Sequence, residues 1–329
     1  MDLTGLINGD STEIRLQVTL GSLDPIWNND FGLDTITITG REKLPSGTFS
    51  GRLFSDEGVT PVTSSKTIRM VVGTSTPSVH STTTDSNGDF IFNLTSTSSL
   101  EVGTPLLFYV DGDVNNANTI DKVADVNYGI YDLDLYYDHV IVKQEGATTT
   151  TLAEIAFYDS NDDDDILYTA SSSLGEFETH ENSTLYVWSG DIFSLGASST
   201  LNGSLVNNGT LASNGVINFA GTGETVTGGL TGSVQFPDVI VSGSYTFNDS
   251  TAVSDLHILT GGSLVAPPIL GIQGSLKIDG TFDANSGQVQ LSGGNGYDVS
   301  EAVYTDSLSI VSQEFAPGDL AFNNDGTKL

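Results

Sequence analysis

Cysteine is absent from all 329 residues, which excludes disulfides, thiolate nucleophiles and cysteine zinc sites and leaves packing and backbone pairing to hold the fold. Cations are scarce: Lys+Arg number 10 against 42 Asp+Glu, a formal net charge of −32. So anionic a chain is a poor partner for nucleic acid or an anionic membrane, and its charge is best tolerated where salt or divalent cations screen it. The four histidines, His80, His139, His180 and His257, lie far apart and lack the paired spacing of a zinc helix. No apolar run approaches the length of a membrane span. The start, "MDLTGLINGDSTEIRLQ", has neither the basic nor the apolar region of an export signal. Together with an end at Leu329 inside a strand-like phrase, this gives the expectation of a fragment of a longer protein. A Gly-x-Ser-x-Gly between strand and helix is missing, and glycine-rich "GTGETVTGG" is followed by neither helix nor lysine. A nucleophile elbow and a phosphate cradle are therefore discounted.

What is present is short alternation. "EIRLQVTL", "DTITITG", "KTIRMVV", "DFIFNL" and "HVIVK" alternate apolar and polar residues, and Gly, Asn, Asp or Pro separates them, as expected of strands joined by turns. No segment sustains a helical period with caps, so the chain is expected to be all-β. Texture divides it into residues 1–39, two strands that finish a preceding domain; 40–136, a small β-sandwich; 137–190, a transition; 184–294, repeats; and 295–329, a final change of style. Within the repeats, "GSLVNNGTLASNGVINFAG" from Gly203 and "GSLKIDGTFDANSGQVQLSG" from Gly274 are two versions of one phrase. Each phrase supplies a short strand and a Gly/Asn corner, the unit of a right-handed parallel β-solenoid whose open ladder the next coil pairs.

Three stretches resemble known modules. Residues 40–136, with the "TDSNGDF" turn at Thr84–Phe90, resemble the carboxypeptidase-regulatory-like, immunoglobulin-like modules of bacterial surface proteins; Asn and Gly tolerate the positive φ of such a hairpin and the Asp side chain bonds nearby amides. The repeats, above all "GTFDANSGQVQLSG", resemble filamentous-haemagglutinin-like and autotransporter-like adhesins. "APGDLAFNNDGTKL" resembles the opening of a bacterial β-propeller blade. These resemblances imply an Ig-like sandwich, a short parallel solenoid and a truncated propeller blade.

Chemistry has few places to reside. The metal candidate is "DSNDDDDIL", where Asp159, Asp162, Asp163, Asp164 and Asp165 offer the hard oxygens that calcium takes, without the EF-hand order; the alternative is a solvated acidic turn. Asp85, Asn87 and Asp89, and Asp111 and Asp113 with Asn115 and Asn116, have alternate oxygen spacing but read as turns that solvate themselves. Asp279 and Asp283 are the carboxylates that a solenoid hydrolase would place on one face, with Lys277 the only nearby cation. Tyr128, Tyr131, Tyr136, Tyr137 and Trp188 could stack on sugar rings, although alternating aromatics more often fill a core. No catalytic residue is assigned. The expectation is a non-enzymatic, extracellular or cell-surface stalk, adhesin-like, meeting surface glycans or proteins. Calcium is its one candidate cofactor, and neither nucleic-acid binding nor membrane insertion is expected. The alternatives are a glycan- or calcium-binding module, a solenoid carbohydrate-active enzyme, and a phage tail-fibre segment.

Overall fold

Alternating burial organises the chain from Lys43 onward. In strand after strand the apolar member is buried and its neighbour is half-exposed, as in Thr184–Val187, Ser204–Asn207, Val216–Phe219 and Ser244–Phe247. A period of two puts alternate side chains on opposite faces, so each short strand contributes two residues to an interior and two to an outer surface. In the computed structural model, residues 44–74, 77–94, 100–145, 149–159, 167–212, 215–228 and 236–291 are described, together with the strands at 297–298, 303–304 and 309–312.

The strands stack in parallel as eight coils of a β-solenoid. One long face begins antiparallel, in the order Ser78–Thr83, Thr67–Val72, Pro105–Asp111, Asn118–Lys122. It then continues in parallel through His139–Val142, Thr184–Val187, Ser204–Asn207, Thr222–Thr227, Ser244–Phe247, Ser263–Val265, Thr281–Asp283 and Val303–Tyr304, twelve strands in all. A second face starts with the antiparallel pair Tyr168–Ser171 and Glu176–Thr179 and runs in parallel from Ser198–Leu201 to Ser309–Ser312. A third, short face stacks Thr149–Thr151, Ile192–Ser194 and Thr210–Ala212. Paired residues are displaced by 22 positions at Val216 and Asp238 and by 17 at Asp238 and Asp255, so one such coil is about a quarter to a third of the displacement between the two repeated phrases.

The interior is a column of stacked apolar residues. Leu185, Leu205, Val226 and Phe247 succeed one another along the long face, and Phe219 lies edge-on to Tyr245 and Phe247 at 5.0 and 5.1 Å. Corners need glycine because coils stack about 4.8 Å apart. At Gly203, the head of the first repeated phrase, a Cβ would fall 1.7 Å from the Ser183 carbonyl oxygen of the coil before. The buried Tyr245 hydroxyl serves the same corner. It lies 2.6 Å from the Leu201 carbonyl and 2.9 Å from that of Gly203, and accepts from the Gly221 amide at 3.2 Å.

Ahead of the coils, a three-stranded sheet of Asp89–Asn93, Thr48–Phe54 and Leu135–Tyr136 faces the antiparallel strands of the long face over a separate core that includes Phe49, Met70, Phe90, Phe92, Leu106 and Phe108. The two-layer region and the first coil thus share one hydrogen-bonded sheet. Its parallel part begins at His139–Val142, ahead of the repeats expected from residue 184, and parallel pairing on the second face runs past residue 294 to Ser309–Ser312.

One element departs from the all-β expectation: a helix at Leu152–Asp159. A capping box starts it. Thr151 donates its amide and hydroxyl to Glu154 Oε2 at 2.8 and 2.9 Å, and the Glu154 amide reaches back to Thr151 Oγ1 at 3.4 Å, satisfying donors that a helix start leaves free. Ile155 and Tyr158 face the core. Eight residues are too few to display a helical period, which is why the alternation concealed it. Among the described residues, no helix is long and apolar enough to cross a membrane.

Candidate functional site

The second face carries the most chemically varied surface. Asp238 and Asp255 stand in register on consecutive coils, both on the outward side because Val239 and Leu256 between them and their next neighbours point inward. Coil spacing brings two carboxylates into each other's field, and like charges at that range resist joint ionisation. Partial burial, a hydrogen bond with Asp255 and repulsion from it push Asp238 above the usual carboxylate range. Asp255 in turn accepts the Ser275 amide. Beside this pair, His257 Nε2 lies 2.8 Å and Lys277 Nζ 2.5 Å from Asp279 Oδ2, and Lys277, then His257, hold Asp279 below the ordinary carboxylate range. Val216, Ile240, Asp255, His257 and Lys277 line the same shallow cavity of ≈ 290 Å³. The arrangement sets two carboxyl groups within hydrogen-bond reach of each other on an outer face, with a histidine and a lysine beside them.

A second cluster is buried where the two-layer region meets the coils. The backbone ladder between Asn118–Lys122 and His139–Val142 ends with the Lys143 amide on the Ile120 carbonyl at 2.9 Å. Beyond it, side chains continue the bonding. The Gln144 amide donates to Asp191 Oδ2 and the Glu145 amide to Asp121 Oδ1, each at 3.1 Å. Asp121 is fully buried, and its Oδ2 has no hydrogen-bond partner. Burial is the main reason why its carboxyl is pushed up to about 7, and that of Asp191 to about 6. Lys143 donates to the Tyr131 and Asp132 carbonyls at 3.1 and 2.9 Å and pairs with Glu145 at 2.8 Å. Lys122 pairs with Glu154 of the helix at 2.9 Å.

The residues singled out in sequence scatter. Asp159 ends the helix and accepts the Ala170 amide at 3.0 Å, while Asp162, Asp163, Asp164 and Asp165 lie outside the described residues. Among the described residues no three His, Cys, Asp or Glu side chains are grouped so as to hold a metal ion. Asp85 closes its own turn, accepting the Asn87 and Asp89 amides at 2.7 and 3.0 Å with Gly88 at φ +81°, and Asp89 is taken by Arg52. Asp111 pairs with Arg69 and Asp113 with Lys66, so these two serve separate cations. Asp279 and Asp283 are not brought together: Asp283 ends a strand of the long face and caps the Asn285 amide at 2.9 Å.

The aromatics pack. Tyr136 is buried against Phe54 and Tyr186, Tyr137 donates to Asp113, and Trp188 is half-buried beneath Lys143. Tyr128 and Tyr131 are half-buried as well. His80 and His180 bond single hydroxyls, and His139 bonds the Tyr137 carbonyl; His257 alone sits in the cavity. Asp238 and Asp255 escaped the sequence reading because their partnership depends on a register of 17 residues. The cue available was the shared outward position in "PDVIV" and "SDLHI". Comparison of the chain with models of known families, with curated proteins and with solved structures returned no match.

Proposed function

We propose that the chain is a non-enzymatic structural segment of a large extracellular bacterial protein, a stalk of adhesin-like kind. The observation that carries this reading is the unbroken twelve-stranded sheet in which the two-layer region runs into the coils, because load applied along such a ladder is shared by backbone hydrogen bonds from one module to the next. An immunoglobulin-like character for residues 40–136, a propeller start after residue 295 and contact with surface glycans belong to the same proposal and rest on the resemblances of those stretches. The net charge of −32 supports it as well: acidic outer positions keep stacked strands hydrated and oppose edge-to-edge association. A thermal melt in chelator and then in about millimolar calcium tests the accompanying metal idea. A calcium-dependent rise that is lost in Asp162→Asn/Asp164→Asn supports a structural site there; coincident melts leave the run as solvated surface.

The cavity around Asp238 and Asp255 favours one second reading, a carbohydrate-active face. Incubation with a panel of acidic and neutral polysaccharides, followed by assay of new reducing ends, decides it. Release that disappears in both Asp238→Asn and Asp255→Asn would support hydrolysis, and no release from the wild type returns the pair to the role of neighbouring surface carboxyls.

A further inference from the structure

At the joint between the antiparallel strands and the first coil, the backbone ladder stops at Ile120 and Val142, and Asp121 and Asp191 supply the next acceptors from their side chains. Asp121 Oδ1 is used twice, by the amides of Lys122 at 2.6 Å and Glu145 at 3.1 Å, while Oδ2 is enclosed with no partner. Charged groups surround the site. Lys143 and Glu145 come from the chain just past the first-coil strand, Asp191 from the second coil, and Lys122 from its own strand with its charge committed to Glu154. The neighbouring antiparallel strand presents Leu106 opposite Asp121. Among the described residues Lys143 is the cation that offsets Asp121 most, and its Nζ is already engaged by Glu145 and the two carbonyls. A further negative charge placed beside Glu145 and Asp191, on a buried carboxyl with one unpartnered oxygen, is the costly state of this joint.

We propose that the joint between the two-layer region and the solenoid is a proton-controlled latch, closed while Asp121 carries a proton and loosened when it ionises. The mechanism is local. A neutral Asp121 keeps the Glu145 amide on Oδ1 without the cost of a buried charge, whereas an ionised Asp121 is drawn toward water, which opens the contact between Asn118–Lys122 and the segment that follows His139–Val142. Because the folded joint binds this proton more tightly than an open one does, the latch is firmest below the ordinary carboxylate range and weakens as pH rises towards about 7.

Hydrogen exchange of the full chain, corrected for the intrinsic pH dependence of amide exchange, reads the latch. The opening constant of peptides covering 118–122 and 139–145 is expected to rise by up to about tenfold per pH unit between about pH 5 and pH 7 and then to level off, while peptides from 263–291 show no such slope. With Asp191 replaced as well, in Asp121→Asn/Asp191→Asn, the slope should vanish, and in Asp121→Asn alone it should shrink to the part that Asp191 supplies through Gln144. An equal slope in that variant, or a flat wild-type profile, overturns the proposal. Should the variant fail to fold, carboxyl carbon NMR of the wild type decides: an Asp121 resonance titrating near 7 upholds the latch, and an Asp121 resonance titrating in the ordinary carboxylate range sinks it.

Discussion

Gly203 shows what a single residue does in a stack of coils. Its missing side chain lets the Ser204 amide reach the Ser183 carbonyl at 3.0 Å, and a methyl group there would have to displace backbone, not a pliable side chain. Gly203→Ala should therefore lower stability by about 3 kcal/mol, measured by denaturant unfolding at constant m-value. Tyr245 makes the complementary case. Removing its hydroxyl leaves the buried Leu201 and Gly203 carbonyls and the Gly221 amide without their partner, and Tyr245→Phe should cost about 2 kcal/mol. Asp238 carries a pH signature. Its carboxyl is held above the ordinary range, so ionisation opposes folding, and the loss grows as pH rises from the ordinary carboxylate range. Asp238→Asn should then raise the melting temperature at neutral pH and match the wild type in acid. A variant melting below the wild type at neutral pH would mean that the ionised pair is favourable. Of these three residues only the glycine was legible in sequence, because repetition marks it. Tyr245 reads as one more alternating aromatic, and the Asp238 partnership exists only once strands 17 residues apart are in register.

At the scale of the element, strands were the readable part. Alternation of period two marks them one at a time, and Gly/Asn corners mark their ends, since both signals are local in the chain. The direction of pairing is not local. A phrase such as "VQFPDVIVSGSYTFNDS" folds back as a hairpin or advances to the next coil with the same letters, and what decides is whether each corner turns toward the preceding coil, as Gly203 does at Ser183. The helix was hidden for a different reason. Thr151 and Glu154 have the spacing of a capping box, but the eight residues that follow carry too little pattern to outweigh the β texture around them. Its stability rests on that cap and on Ile155 and Tyr158. Thr151→Ala should cost about 1 kcal/mol and weaken the helical signal in circular dichroism, with Thr151→Ser close to the wild type. Equal stability of the alanine and wild-type chains would assign the helix to its buried face alone.

From Leu44 onward, eight coils share one ladder with the antiparallel strands before them. Strand pairing joins adjacent coils, with the Tyr245 hydroxyl reaching back two coils to the Leu201 and Gly203 carbonyls, so stability is expected to accumulate coil by coil, and the acidic outer surface limits association. The two-layer region differs. Its core of Phe49, Phe90, Phe92 and Phe108 is closed and aromatic, so it should yield as a block. The most direct measurement is force spectroscopy on the whole chain held at its two ends. With 17 to 22 residues displaced per coil along the stack, 45 between the first two coil strands and about 3.5 Å of extended length per residue, the result expected is a series of small steps of about 60 to 80 Å, one of about 160 Å from the helix-bearing first coil, and one separate, larger event from the two-layer region. A single rip that releases all eight coils together would contradict it.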